Sequence, residues 1–259
     1  MSQHFVWTPD GRTRVLGLVP SQIHCPSLMA AIPQTTGQII PESALIEYEE
    51  WPIVLPVLDQ GNWNACTYFS STQALLYGRY QSGQGYVELD PMWPYMKVTG
   101  GRNEGTNLIE SSLMLSQFGV PPVKTPASMV VQEALRFRFE LSEQFTSYLQ
   151  ILSAVARHRA VVGSVCVGEP WMHLDDEGVP GLVYGQANHA IFLGSGVRKS
   201  KRHGWMVRHV GSWGRNWGHA GFGWYTEAHF NASKLGEAYA VQGVHEDLAV
   251  DIPPAVLVA

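Results

Sequence analysis

The chain has 259 residues, a net charge of −5, 45% hydrophobic residues and only 15% charged ones. That length carries a hydrophobic core without disulfide staples, and the acidic balance argues against a nucleic-acid partner recognised through a broad basic face. No apolar run approaches the ~18 residues of a membrane span, and a composition 11% aromatic is the reverse of a disordered chain's.

Residues 1–45 show no sustained periodicity, and Pro20, Pro26, Pro33 and Pro41 recur too closely for long helices. They are expected to form an extended arm packed on the domain, or a removable segment. The stretch Met1 to Gly17 has no apolar h-region, so no signal peptide is expected. The first helix is predicted from Cys66 to Tyr80, with Phe69, Thr72, Leu76 and Tyr80 on one stripe and Asn64 as N-cap. A second is predicted over Asn107 to Phe118, where Asn107 and Glu110 have capping-box spacing and Gly119 follows the last turn. A third is predicted from Leu141 to His158. The texture then turns to strands: Ala160 to Val167, a hairpin of Ala190 to Val197 with Trp205 to Val210, and Phe222 to Thr226. A helical front and a β-rich back predict an α+β fold with two lobes.

The cysteines are Cys25, Cys66 and Cys166, an odd and sparse set that forms no disulfide framework and suits a reducing compartment. Cys166 reads as a structural residue of its strand, and Cys25 carries no legible context. Cys66 differs, because it opens a helix. The unpaired amides there favour negative charge, so its thiol is a candidate nucleophile. Gln60, six residues earlier, offers a neutral N–H donor that could hold a developing oxyanion together with the Cys66 amide.

The segment Gln60-Gly61 followed by Cys66 and Phe69 resembles the nucleophile region of papain-like cysteine proteases. Further matches follow in the family's order. Asn188-His189-Ala190-Ile191-Phe192 looks like the strand that opens on the catalytic His. Ser212-Trp213-Gly214, Trp217-Gly218 and Gly221-Phe222 resemble the Ser-Trp-Gly segment and its sequel. The resemblance spans residues 50–230. It implies a helical lobe (46–150) facing a β-barrel-like lobe (151–259) across a cleft, with residues 1–45 as an extension. It further implies Cys66 as nucleophile, His189 as base and Gln60 as oxyanion donor. Gly105 and Thr106 fall where the family's cleft wall pairs with an extended substrate, Leu108 near the specificity pocket, Trp213 where it shields the imidazole from water, and Trp217 on the leaving-group side of the substrate.

One departure stands out. The Asn that orients the imidazole in this family is replaced by Gly211. Strand alternation puts His209 on the same face, a candidate substitute. The implied activity is therefore hydrolysis of peptide bonds through a Cys-His dyad, at a reduced rate. The alternatives are a pseudoprotease that binds a protein partner in its cleft, or a thiol amidase, deamidase or transamidase. A protein or peptide partner is expected, with no cofactor, metal, nucleic acid or membrane. A cytoplasmic or other reducing location fits the cysteines, and delivery elsewhere stays open. The cluster His173, Asp175, Asp176 and Glu177 and the basic run Arg198 to His203 are read as solvated loops.

Overall fold

The computed structural model describes residues 4–7, 11–19, 39–138, 140–234 and 236–242. Cys25 lies outside them, with the rest of residues 20–38 of the arm.

Within the arm, His4–Trp7 (β1) and Thr13–Leu16 (β2) pair antiparallel. The next strand, Tyr48–Glu49 (β3), is short. Cys66–Gln81 (α1) follows, and its residues from Cys66 to Tyr77 are all buried. A helix apolar or small on every side is a core helix, not an amphipathic surface one. Its N-cap is Ala65, which makes no side-chain cap bond. The predicted cap, Asn64, is instead drawn to Asn103: its amide donates to Asn103 Oδ1 at 2.7 Å and its Nδ2 to the Asn103 carbonyl at 3.1 Å.

Met92–Thr99 (α2) ends where Gly100 turns left-handed at φ 61°. Leu108–Phe118 (α3) matches its expectation closely. The Glu110 N–H donates to Asn107 Oδ1 at 2.7 Å, a cap worth about 1 kcal/mol, and Gly119 at φ 72° ends the helix. Val130–Leu135 (α4) completes this half.

The predicted third helix is split. Glu140–Phe145 is a strand (β4) and only Tyr148–Ala156 is helical (α5). The Ser147–Gln150 capping box starts the helix at residue 148, while the residues before it pair with the last strand. Tertiary pairing overrides the helical periodicity there. The strands Ala160–Val165 (β5), Gly185–Gln186 (β6), His189–Ser200 (β7), Gly204–Val210 (β8) and Phe222–Tyr225 (β9) follow. Glu227–Ala232 (α6), Ser233–Lys234 (β10) and Ala238–Gln242 (β11) close the described chain.

The main sheet runs β4-β11-β5-β7-β8-β9, with β3 added on β7. The end strands β4 and β9 do not pair with each other, so the sheet is open and the expected barrel-like closure does not occur among the described residues. Alternation along β7 explains its continuous apolar run. Ala190 and Phe192 join one core with Leu75 and Leu76 of α1, while Ile191 and Leu193 join another with Ile151 and Val155 of α5. Both cores therefore share one sheet, and His189 sits at the end of its central strand.

Candidate active site

Cys66 is the first residue of α1 and is wholly buried. Burial pushes its thiol up to about 11. The backbone amides of Ala190, Gly17, Thr67 and Cys66 itself work in the opposite direction by favouring the thiolate. Two of these amides belong to the helix start. A third, Ala190, belongs to the residue after His189, so the helix start meets the end of β7 at the sulfur.

His189 is also wholly buried and stacks on Trp213, with ring centroids 4.5 Å apart and 28° between planes. Burial holds its imidazole down at about 3. Neither ring nitrogen has a hydrogen-bond partner among the described residues. The imidazole is thus neutral in this state and not hydrogen-bonded to the thiol.

Gln60 is held from two sides. Its Nε2 donates to the Trp63 carbonyl at 2.6 Å, and its Oε1 accepts from the Ser212 hydroxyl. The backbone does the rest: the Gln60 N–H donates to the Ser212 carbonyl at 2.8 Å and the Gly214 N–H to the Leu58 carbonyl at 3.0 Å. The loop below is braced by Asn103, whose Nδ2 reaches the Asn62 carbonyl at 2.9 Å.

The segment at Gly105 and Thr106, the expected cleft wall, is covered by the arm. Residues 17–19 of the arm lie along it as an added strand, bridged in parallel at Leu18 and Thr106. The Thr106 N–H donates to the Gly17 carbonyl at 2.9 Å, the Val19 N–H to the Thr106 carbonyl at 3.1 Å, and the Leu18 N–H to the Asn188 carbonyl at 3.1 Å. Gly105 permits this approach, since a Cβ there would fall 2.4 Å from the Gly17 carbonyl oxygen. Leu18 is buried in the same cluster as Leu108, Cys66 and Ala190. Thr67 and Thr106 share a hydroxyl–hydroxyl bond of 2.7 Å, tying the start of α1 to this wall.

Several solved structures share this architecture. Xylellain, a cysteine protease from Xylella fastidiosa, superposes with a TM-score of 0.70 at 16% identity, over 95% of this chain and 100% of that one. The fold is papain-like. The digestive procathepsin L 3 of Tenebrio molitor larval midgut gives a TM-score of 0.59 at 18% identity, over 81% of this chain and 73% of that one. A structure from a comparison of the mite allergens Blo t 1 and Der p 1 gives 0.63 at 15% identity, over 88% and 80%. No protein-family model matches the sequence, and no curated relative does.

On this papain-like fold the predicted residues fall into two groups. Cys66 meets the amide next to His189, Trp213 covers the imidazole, and Gly105, Thr106 and Leu108 line the occupied wall. His209 makes no direct ring contact with His189, although the two interact electrostatically. It packs on Trp171 and Trp217, at 5.3 and 5.2 Å between centroids, and neither of its ring nitrogens has a partner among the described residues. Ring contacts connect it to His189 only through Trp217 and Trp213. A Cβ at Gly211 would meet Trp217 at 3.6 Å, an ordinary contact.

Three features went unread in the sequence: the arm's place on the cleft wall, the Ser212 hold on Gln60, and the Asn64–Asn103 brace. Only the first left a trace, the single glycine Gly17 between β2 and an apolar pair. The basic run is the expected exposed hairpin tip between β7 and β8, with Arg198 and His203 partly covered. Arg198 stacks over Trp224 at 4.4 Å, and His203 Nε2 lies 2.8 Å from Asp175. Desolvation pushes the Asp175 carboxyl up, but the Val179 amide, His203 and the Glu177 amide together outweigh it and hold the carboxyl below its usual range; among the described residues no group of three or more potential ligands is set to hold a metal. No helix among them is long and apolar enough to cross a membrane.

Proposed function

We propose that the protein hydrolyses peptide bonds through Cys66 and His189, as a two-lobed catalytic unit of residues 46–259 carrying an N-terminal arm of residues 1–45. The observation that carries this reading is the convergence of the Cys66, Thr67 and Ala190 amides on one thiol, the last of them the amide that follows His189 in the chain. In the open state water reaches the site, the burial penalty on both groups falls, and those amides favour the thiolate. His189 takes the thiol proton. The thiolate adds to the carbonyl carbon, and the negative oxygen is stabilised by the Gln60 amide and the Cys66 N–H. His189 returns the proton to the leaving nitrogen as the C–N bond breaks. Water then gives up a proton to His189 and releases the acyl group from sulfur.

The substrate class follows from the wall. Thr106 offers both its N–H and its carbonyl to an extended backbone, and in this state a strand of peptide uses both. The strand of residues 17–19 presents an amide N–H to the sulfur, not a carbonyl carbon, so it blocks the site without being a substrate. The state described is therefore closed, and turnover requires the strand to leave.

A binding role without catalysis is the second reading, favoured by Gly211 and by His189 nitrogens that have no partner among the described residues. Replacing Cys66 by Ala separates the two. Loss of peptide cleavage and of labelling by a thiol-directed epoxide supports the enzyme. An opened chain that neither cleaves nor is labelled at Cys66 supports the binder.

A further inference from the structure

Arg14 belongs to the arm, yet its side chain is only 1% exposed. Its Nη1 lies 2.9 Å from Asp59 Oδ1, and its Nη2 reaches both Asp59 Oδ2 and the Trp213 carbonyl at 3.3 Å. Taking a guanidinium out of water is costly unless a charge and further acceptors meet it. Antiparallel pairing of β1 with β2 requires no such cation. Exposed Arg12, 3.4 Å from Asp59, adds little to the same carboxylate.

Asp59 and Trp213, which both accept from Arg14, lie on different segments of the chain. Asp59 immediately precedes Gln60, and Trp213 is the residue stacked on His189. These segments are joined as a short antiparallel bridge at Asp59 and Trp213. One guanidinium thus spans the joint from which the oxyanion donor and the imidazole cover both project. The planar fork of arginine suits this double acceptor, and a point charge does not.

We propose that Arg14 is a positioning residue for the oxyanion side of the site, acting through Gln60. The β1–β2 hairpin is then a working part of the enzyme. This rests on the reading of Gln60 as the oxyanion donor. Arg14 touches no substrate. It sets where the Gln60 amide points, so its loss is felt in the chemical step more than in substrate binding.

The test uses the full chain opened by Leu18→Asp, which places a charge in the apolar seat of the strand. Peptide hydrolysis is compared for Arg14→Gln, Arg14→Lys, Gln60→Ala and the double variant of Arg14→Gln with Gln60→Ala. A lost oxyanion donor costs about 10²–10³-fold, so a misaimed one is expected to lower kcat about tenfold with KM within about twofold. Arg14→Lys, which keeps the charge without the fork, recovers part of this and serves as the test if Arg14→Gln does not fold. With Gln60 already Ala, losing Arg14 has no further effect on kcat. An unchanged kcat, or an equal loss with and without Gln60, overturns the proposal. A chain that cleaves no peptide at all counts against the protease reading, and Arg14 is then decided by side-chain NMR. Shifted Gln60 Nε2 and Trp213 Nε1 resonances in Arg14→Gln, partly restored in Arg14→Lys, support it; unmoved resonances overturn it.

Discussion

Gly17 and Asn64 approach so closely that a Cβ at position 17 would lie 2.5 Å from the Asn64 Cα, Cβ and carbonyl oxygen. Asn64 is held by two bonds to Asn103, so the arm is the partner that yields. Gly17→Ala is therefore expected to lift residues 17–19 off the thiol. The measurement is alkylation of Cys66 by iodoacetamide at pH 7, followed by mass. The rate should rise at least about tenfold over the native chain, since access and thiolate fraction both increase. An unchanged rate would mean that the strand does not guard the sulfur.

The same closure fixes a pH signature. Burial raises the Cys66 thiol to about 11 in the closed state. The neutral form is favoured, so its stabilising contribution is complete below the unfolded value and is lost as pH rises through the folded one. Alkylation of the native chain should climb with pH until about 11. In the opened chain the inflection should fall below the usual thiol range, because the helix amides remain and the burial does not. Coincident inflections in the two chains would contradict this account.

Three histidines set the acid limit of the fold. Burial lowers His189 to about 3, His229 to about 4 and His209 well below the ordinary value. Each is favoured in its neutral form, so the folded chain binds fewer protons than the unfolded one below about pH 6.5. Stability is complete above that value and falls as pH drops toward 4. Tm should decline from pH 7.5 to 4.5, and His209→Leu should flatten part of the decline. A Tm independent of pH across this range contradicts the burial of these side chains.

Gly211 gives a fourth expectation. The His189 nitrogens have no partner among the described residues, and a side chain at 211 would meet only Trp217 at its Cβ. Gly211→Asn in the opened chain is expected to raise kcat about tenfold by giving the imidazole a hydrogen bond, with KM little changed. A variant no faster than its parent would show that another group already orients the ring.

The elements that sequence alone could place are those with local causes. Asn107, Glu110 and Gly119 bound α3 by capping and a left-handed turn, and α1 runs unbroken from Cys66. Failures arose where long-range pairing decides. Residues 140–145 pair with β11, nearly a hundred positions away, so their helical spacing misled. The open sheet is another such case, since closure depends on which edge strands meet. Within the candidate site, Cys66, His189, Gln60 and Trp213 could be nominated from sequence because each sits in a short local motif. Arg14, Ser212 and residues 17–19 could not be. Each acts across 45 to 199 positions of chain, or along a wall that only the folded backbone makes.

If Cys66 is a peptidase nucleophile covered by the arm, displacing residues 17–19 releases its activity. The most direct measurement is digestion of a peptide library by the Leu18→Asp chain, with the native chain, Leu18→Asp/Cys66→Ala and Leu18→Asp/His189→Ala beside it. The account predicts cleavage by Leu18→Asp, little by the native chain and none by either double variant. Equal cleavage by the native and opened chains, or cleavage that survives loss of Cys66, would contradict it.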